Sequence, residues 1–156
     1  MKILSQFESK GNVELLSQKT LAIFSSKNTP QDIYTSAEEL FLSLCELPVC
    51  LASGWQAPLE KHLLGLTNPA MPANIIYYSA KDISELNIVK LAELEKENKL
   101  LYISAQSRKN RISKEDVDKR DELLLSYVNG ALFFFIEPMG RLEKYFDFLC
   151  LEDFNV

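Results

Sequence analysis

Glycine is scarce in this chain, with five in 156 residues. No G-x-G-x-x-G fingerprint or P-loop occurs, which argues against the dinucleotide and nucleoside-triphosphate sites that depend on them. There is one histidine, His62, and no serine or cysteine stands from it at a recognisable triad spacing. A surface or helix-packing role therefore suits it better than nucleophilic catalysis. Cys45, Cys50 and Cys150 form no metal-ligand spacing, so neither a metal nor a cofactor is expected. Their odd number, with two in core-like runs, suits reduced thiols in a cytoplasm. No stretch approaches the roughly 20 apolar residues of a membrane span. The early run Leu21 to Phe24 is too short for a signal peptide and follows acidic and polar residues. Positive charge is also short: 17 Lys and Arg against 22 Asp and Glu give a net charge of -5. That excludes a globally basic nucleic-acid binder and leaves a local basic loop as the route to one.

What the chain does have is a soluble composition, 47% hydrophobic and 25% charged, at a length that builds one domain with a real core. Its organising stretch is Val49-Cys50-Leu51-Ala52-Ser53-Gly54-Trp55-Gln56-Ala57-Pro58-Leu59-Glu60. An apolar run without alternation suits a strand buried on both faces of a parallel sheet. Pro58 then fits the first turn of a helix, where the N–H it lacks would have no partner. Ser53-Gly54 is thereby placed at the carboxyl end of a strand, facing helix N–H groups that favour anions.

Strands and helices alternate about five times along the chain. Residues 1–18 read as an arm with one short helical piece, packing on a single domain of residues 19–156. Lys19 to Ser25 is the first strand. Thr29-Pro30 opens a helix carrying Ile33, Ala37, Leu40, Phe41, Leu44 and Leu47 on one stripe. After the second strand, a helix from Pro58 stops at Gly65. Ile75 to Tyr78 is the third strand, Leu86 to Glu97 a helix and Leu100 to Ile103 the fourth strand. Ser113 with Asp116 resembles a capping box for a helix that buries Val117, Leu124 and Val128. Ala131 to Ile136, the most apolar run, predicts a central strand; a last helix follows through Leu142, Tyr145, Phe146 and Leu149. The expected fold is α/β: a Rossmann-like, doubly wound, mainly parallel sheet of about five strands with helices on both faces.

In such a sheet the loops after the strands meet at one edge. They carry Ser25, Ser26 and Lys27; Ser53, Gly54 and Trp55; Ser79 and Lys81; Ser104 to Arg111; and Glu137 to Arg141, with Gly140. Hydroxyls and cations there suit phosphate or carboxylate, and Trp55 is expected to stack on a base or ring. Arg108, Lys109 and Arg111 with Lys114 form a candidate nucleic-acid loop; its bland reading is a solvated charge run. Arg120 borders the core stripe of its helix, between Val117 and Leu124, where it either pairs on the surface or points over the strand ends.

Several of these pieces in order resemble the DNA-processing protein A (Smf) family. They are Gly11-Asn12 before Leu15-Leu16, the strand Leu21 to Phe24 leading to Ser25-Ser26-Lys27, the Ser53-Gly54 turn, and Lys119-Arg120-Asp121 before an apolar strand. The short single-domain relatives carry a Ser-Gly-aromatic-x-x-Pro-x-Glu turn like the one ending at Glu60. The resemblance implies a fold of the Smf and lonely-guy (SLOG) superfamily, whose members bind single-stranded DNA or nucleotide-derived ligands at the strand-end edge. Ser25-Ser26-Lys27 stands where the family has Gly-Ser-Arg, and Arg120-Asp121 where it has Arg-Asn; the Ser-Gly-x-Ala-x-Gly-Ile-Asp turn of the full-length protein is replaced. The superfamily's phosphoribohydrolases carry a Pro-Gly-Gly-x-Gly-Thr-x-x-Glu signature, echoed by Pro138 to Glu143 without its Gly-Thr pair. That echo implies Arg120 and Glu143 as a catalytic pair.

The resulting expectation is a non-catalytic module for single-stranded DNA or a nucleotide-derived ligand. Its site draws on Ser25, Ser26, Lys27, Ser53, Gly54, Trp55, Glu60, Ser104, Arg120 and Gly140. A nucleoside-monophosphate hydrolase and a fold kept for protein–protein contact, as in a homodimer, are the alternatives.

Overall fold

A computed structural model of the chain describes residues 7–81, 91–105 and 111–154. Six strands form one sheet: β1 (Glu8–Gly11), β2 (Thr20–Ser25), β3 (Cys50–Ser53), β4 (Asn74–Ser79), β5 (Leu100–Ser104) and β6 (Gly130–Phe135). Their spatial order is β1-β5-β4-β3-β2-β6. All neighbours run parallel except β1, which pairs antiparallel with β5 from Glu8↔Ser104 to Gly11↔Leu101. The strand in the N-terminal stretch brings the number to six where five were read. It escaped the sequence because Glu8-Ser9-Lys10-Gly11 carries no apolar pattern and lies largely exposed at the edge. Gly11, at φ +108°, lies against the Leu100 carbonyl, where a β-carbon would sit 2.4 Å from the oxygen.

The helices are α1 (Tyr34–Cys45), α2 (Pro58–Leu64), α3 (Ala92–Lys96), α4 (Lys114–Leu125) and α5 (Glu143–Phe154), with 3-10 turns at Val13–Ser17 and Gln31–Ile33. They divide between two cores. One face of the sheet packs Phe41, Leu59, Leu63 and Leu94 of α1 to α3 against Ile23, Leu51 and Ile75. The other packs Leu15, Leu124 and Tyr145 against Phe24, Ala52, Ile76 and Ile103. A strand such as β3 is buried throughout because it meets a core on each side. Cys45 and Cys50 are buried free thiols, and burial raises both to a pKa of about 11.

Three local expectations need correcting. The apolar run before Glu137 forms β6, which lies at the end of the sheet and pairs, among the described residues, only with β2. Each of its residues is half-buried: Leu132 and Phe134 pack on the first core, Ala131 and Phe133 on the second, and among the described residues no further strand lies beyond. The helix expected to start at Pro30 begins four residues later, at Tyr34: Thr29 donates its hydroxyl to the Ser26 carbonyl, and a 3-10 turn precedes α1. On α1 the buried stripe is Ala37, Phe41 and Cys45, while Leu40 and Leu47 are exposed. By contrast, Pro58 starts α2, Gly65 ends it, and Ser113 with Asp116 forms the capping box of α4. Leu86, Val89 and Lys90 lie outside the described residues.

Candidate functional site

The parallel strands all end at one edge, and β2 is flanked there by β3 on one side and β6 on the other. From β2 the chain winds one way through β3, β4 and β5, then crosses back to β6. Such a reversal point opens a crevice above the strand ends. A cleft of about 860 Å³ occupies it. It is lined by Ser25, Ser26 and Lys27 at the end of β2, by Gln56, Ala57, Pro58, Glu60 and Lys61 after β3, and by Tyr77, Ser79, Ala80 and Lys81 at the end of β4. Ile112, Val117 and Arg120 near and within α4, and Glu137, Gly140, Arg141 and Leu142 after β6, complete it.

Glu60 ties two of these loops together. Its Oε2 accepts the Ser25 N–H at 3.0 Å, and its Oε1 accepts those of Gln56 at 3.1 Å and Ala57 at 3.3 Å. Desolvation of this buried carboxyl pushes its pKa up; the three N–H groups and the Arg120 charge pull it back only partly. A second tie joins β2 to β6: Ser26 Oγ accepts the Glu137 N–H at 2.8 Å, and the Ser26 N–H donates to the Phe135 carbonyl at 2.9 Å. Gln56 donates to the Tyr77 hydroxyl at 2.7 Å, and burial raises the pKa of that phenol.

Five cations, Lys27, Lys61, Lys81, Arg120 and Arg141, line the cleft against two carboxylates, Glu60 and Glu137. In a chain of net charge -5 this concentrates positive potential at one crevice. Arg120 and Arg141 both bond Asp121, which is fully buried: Arg120 Nε and Nη2 lie 3.0 Å from Oδ1, and Arg141 Nη1 meets Oδ2. Among the described residues the buried Ser25 hydroxyl has no hydrogen-bond partner, although a buried hydroxyl ordinarily finds one. Ala80, Ile112, Val117 and Leu142 form an apolar wall. The lining thus offers cations to an anion and apolar side chains to a flat group.

The expected residues divide accordingly. Ser25, Ser26, Lys27, Glu60, Arg120 and Gly140 come together on the cleft, as do Ser79 and Lys81. Ser53 lies beneath it, with its Oγ accepting the Trp55 N–H at 3.0 Å. Gly54 also lies beneath, against the Arg120 guanidinium. Ser104 is buried and donates to the Lys81 carbonyl.

The expectation for Trp55 is corrected. The backbone turns through φ 51° there, which swings the indole into the core against Phe41, with Nε1–H donated to the Ile76 carbonyl at 3.1 Å. At 1% exposure it offers a ligand no face. Glu143 does not line the cleft, and its carboxylate accepts the Met139 N–H, so the Arg120–Glu143 pair is not assembled. Arg111 and Lys114 are exposed away from the cleft lining, and Arg108 and Lys109 lie outside the described residues. His62 pairs with Glu38 between α1 and α2. Gln56, Tyr77 and Lys61 were not expected at the site from sequence, and Asp121 figured only in the Lys119-Arg120-Asp121 resemblance. Tyr77 is two residues from the carboxyl end of β4, and that position was its only signal.

Among the described residues no three His, Cys, Asp or Glu side chains gather to hold a metal ion, and no helix is long and apolar enough to cross a membrane. No family model matches the sequence, and no curated protein matches it. Solved structures do match. The X-ray structure of DNA processing protein A (DprA) from Streptococcus pneumoniae aligns with a TM-score of 0.63 and 18% identity, over 81% of this chain and 45% of that one. DprA from Helicobacter pylori aligns with a TM-score of 0.64 and 14% identity, over 81% of this chain and 59% of that one. The chain thus spans about half the length of the structures it matches. At such identities the likeness is one of architecture: the six-stranded, mostly parallel sheet with its flanking helices has a DprA/Smf-like, Rossmann-like fold.

Proposed function

We propose that the chain is a binding module for single-stranded DNA. A backbone phosphate would sit among the cations of the strand-edge cleft, with a base against its apolar side chains. The observation that carries this reading is the gathering of Lys27, Lys61, Lys81, Arg120 and Arg141 around one crevice of an acidic chain. Its support from outside the chain is the Helicobacter pylori DprA structure, described for its mode of binding single-stranded DNA. Contact with a base would have to come from the aliphatic lining, since the indole and the Tyr77 ring are both buried.

The size of the cleft favours a second reading. About 860 Å³ falls within the range of small-ligand pockets, so a free nucleotide-derived ligand also fits. Titrating a fluorescein-labelled oligothymidylate across a salt series, with unlabelled thymidine monophosphate as competitor, separates the two. For DNA, affinity falls steeply with salt, and Lys27→Ala and Lys81→Ala each reduce the slope by about one. Tight mononucleotide binding with no affinity for the oligomer selects the small-ligand reading; no binding of either rejects both.

A further inference from the structure

Two of the five cations differ from the rest. Lys27 and Lys81 are exposed, whereas Arg120 is only 5% exposed and belongs to a buried ionic cluster. Asp121 occupies the middle of that cluster, with Oδ1 on Arg120 and Oδ2 on Arg141. Arg120 and Asp121 are helix neighbours, whose side chains leave the axis about 100° apart. The arginine must therefore curl back to reach the aspartate. Arg141 comes from the turn between β6 and α5, a different part of the chain. One carboxylate thus joins α4 to that turn and uses one edge of each guanidinium. An arginine carries five N–H donors, so each keeps donors for a ligand.

We infer that Asp121 is a positioning residue that holds Arg120 and Arg141 as a pair, so that both face one phosphate. The inference rests on the cleft being an anion site. Electrostatics alone makes the opposite prediction. A negative charge beneath an anion site opposes binding, so neutralising it should tighten binding. If Asp121 positions, neutralising it loosens binding even though the cleft becomes more positive, because two guanidiniums lose their shared anchor and repel each other.

The experiment compares wild type, Asp121→Asn and Asp121→Glu for binding of the labelled oligothymidylate, with melting curves to establish folding. Asparagine should weaken binding about tenfold or more, and glutamate should restore part of it. Equal or tighter binding by Asp121→Asn overturns the inference and leaves the DNA reading intact. If wild type binds no oligomer, that reading fails alone. Inorganic phosphate titrated against the arginine Nε–Hε NMR signals then decides: Arg120 and Arg141 shifting together in wild type but not in Asp121→Asn supports the pairing, and any other pattern refutes it. Should Asp121→Asn not fold, Arg141→Lys keeps the charge and removes the planar fork. A several-fold loss is then expected, and unchanged affinity overturns the inference.

Discussion

Gly54 and Arg120 share one volume: a β-carbon on Gly54 would lie 2.4 Å from Arg120 Cζ and 2.7 Å from both Nε and Nη1. The glycine is required by what lies over it rather than by its own backbone angles. Because the intruding atoms belong to the far end of a long side chain, Gly54→Ala should displace the guanidinium before it disturbs the strand. The expected result is a stability loss of about 1 kcal/mol together with a marked loss of anion binding. Chemical denaturation and oligothymidylate titration of the same variant check both halves. Full affinity would mean that Arg120 does not need its present position.

Glu60 gives a prediction with a definite sign in pH. Its folded pKa is raised from 4.5, so the folded protein holds this proton more tightly than the unfolded chain. The resulting contribution to stability is complete below the unfolded value and is lost as pH rises through the folded one. Glu60→Gln removes this dependence. It also turns an amide NH2 toward N–H donors that a carboxyl, protonated or not, can accept. The variant should be less stable by about 1–3 kcal/mol at acid pH, and its deficit should shrink as pH rises. Urea midpoints taken from about pH 4 upward test the trend, and a deficit that grows with pH contradicts it.

The sole tryptophan provides a probe that should stay silent. With Trp55 packed on Phe41 and its N–H satisfied by Ile76, emission should be that of an apolar site and acrylamide should quench it poorly. Saturating oligothymidylate should change neither. Strong quenching by the ligand would bring the indole back to the surface and restore a stacking role.

Much of the architecture was legible because buried parallel strands leave a plain signature. Leu51-Ala52 and Leu100 to Ile103 are apolar on both faces, Pro58 and Gly65 bound α2, and the Ser113 side chain caps α4. Composition does not encode lateral position in a sheet. Ala131 to Phe135 is as apolar as a central strand, but pairing partners decide its place, and these come from far along the chain. The site was legible as a set of strand ends, which put Ser25, Lys27, Glu60 and Arg120 on one crevice. Which way a side chain points was not. The left-handed backbone at Trp55 sends inward a ring whose position suggested outward. The Asp121 bridge joins residues 20 apart, with no local pattern to announce it.

The Ser26–Glu137 hydrogen bond spans 111 positions. A crevice whose walls are drawn from so wide an interval cannot exist in a half-folded chain, since no single fragment carries enough of it. Whatever occupies the crevice must therefore recognise only the finished molecule, and occupancy should raise the melting temperature of the whole domain as one cooperative unit.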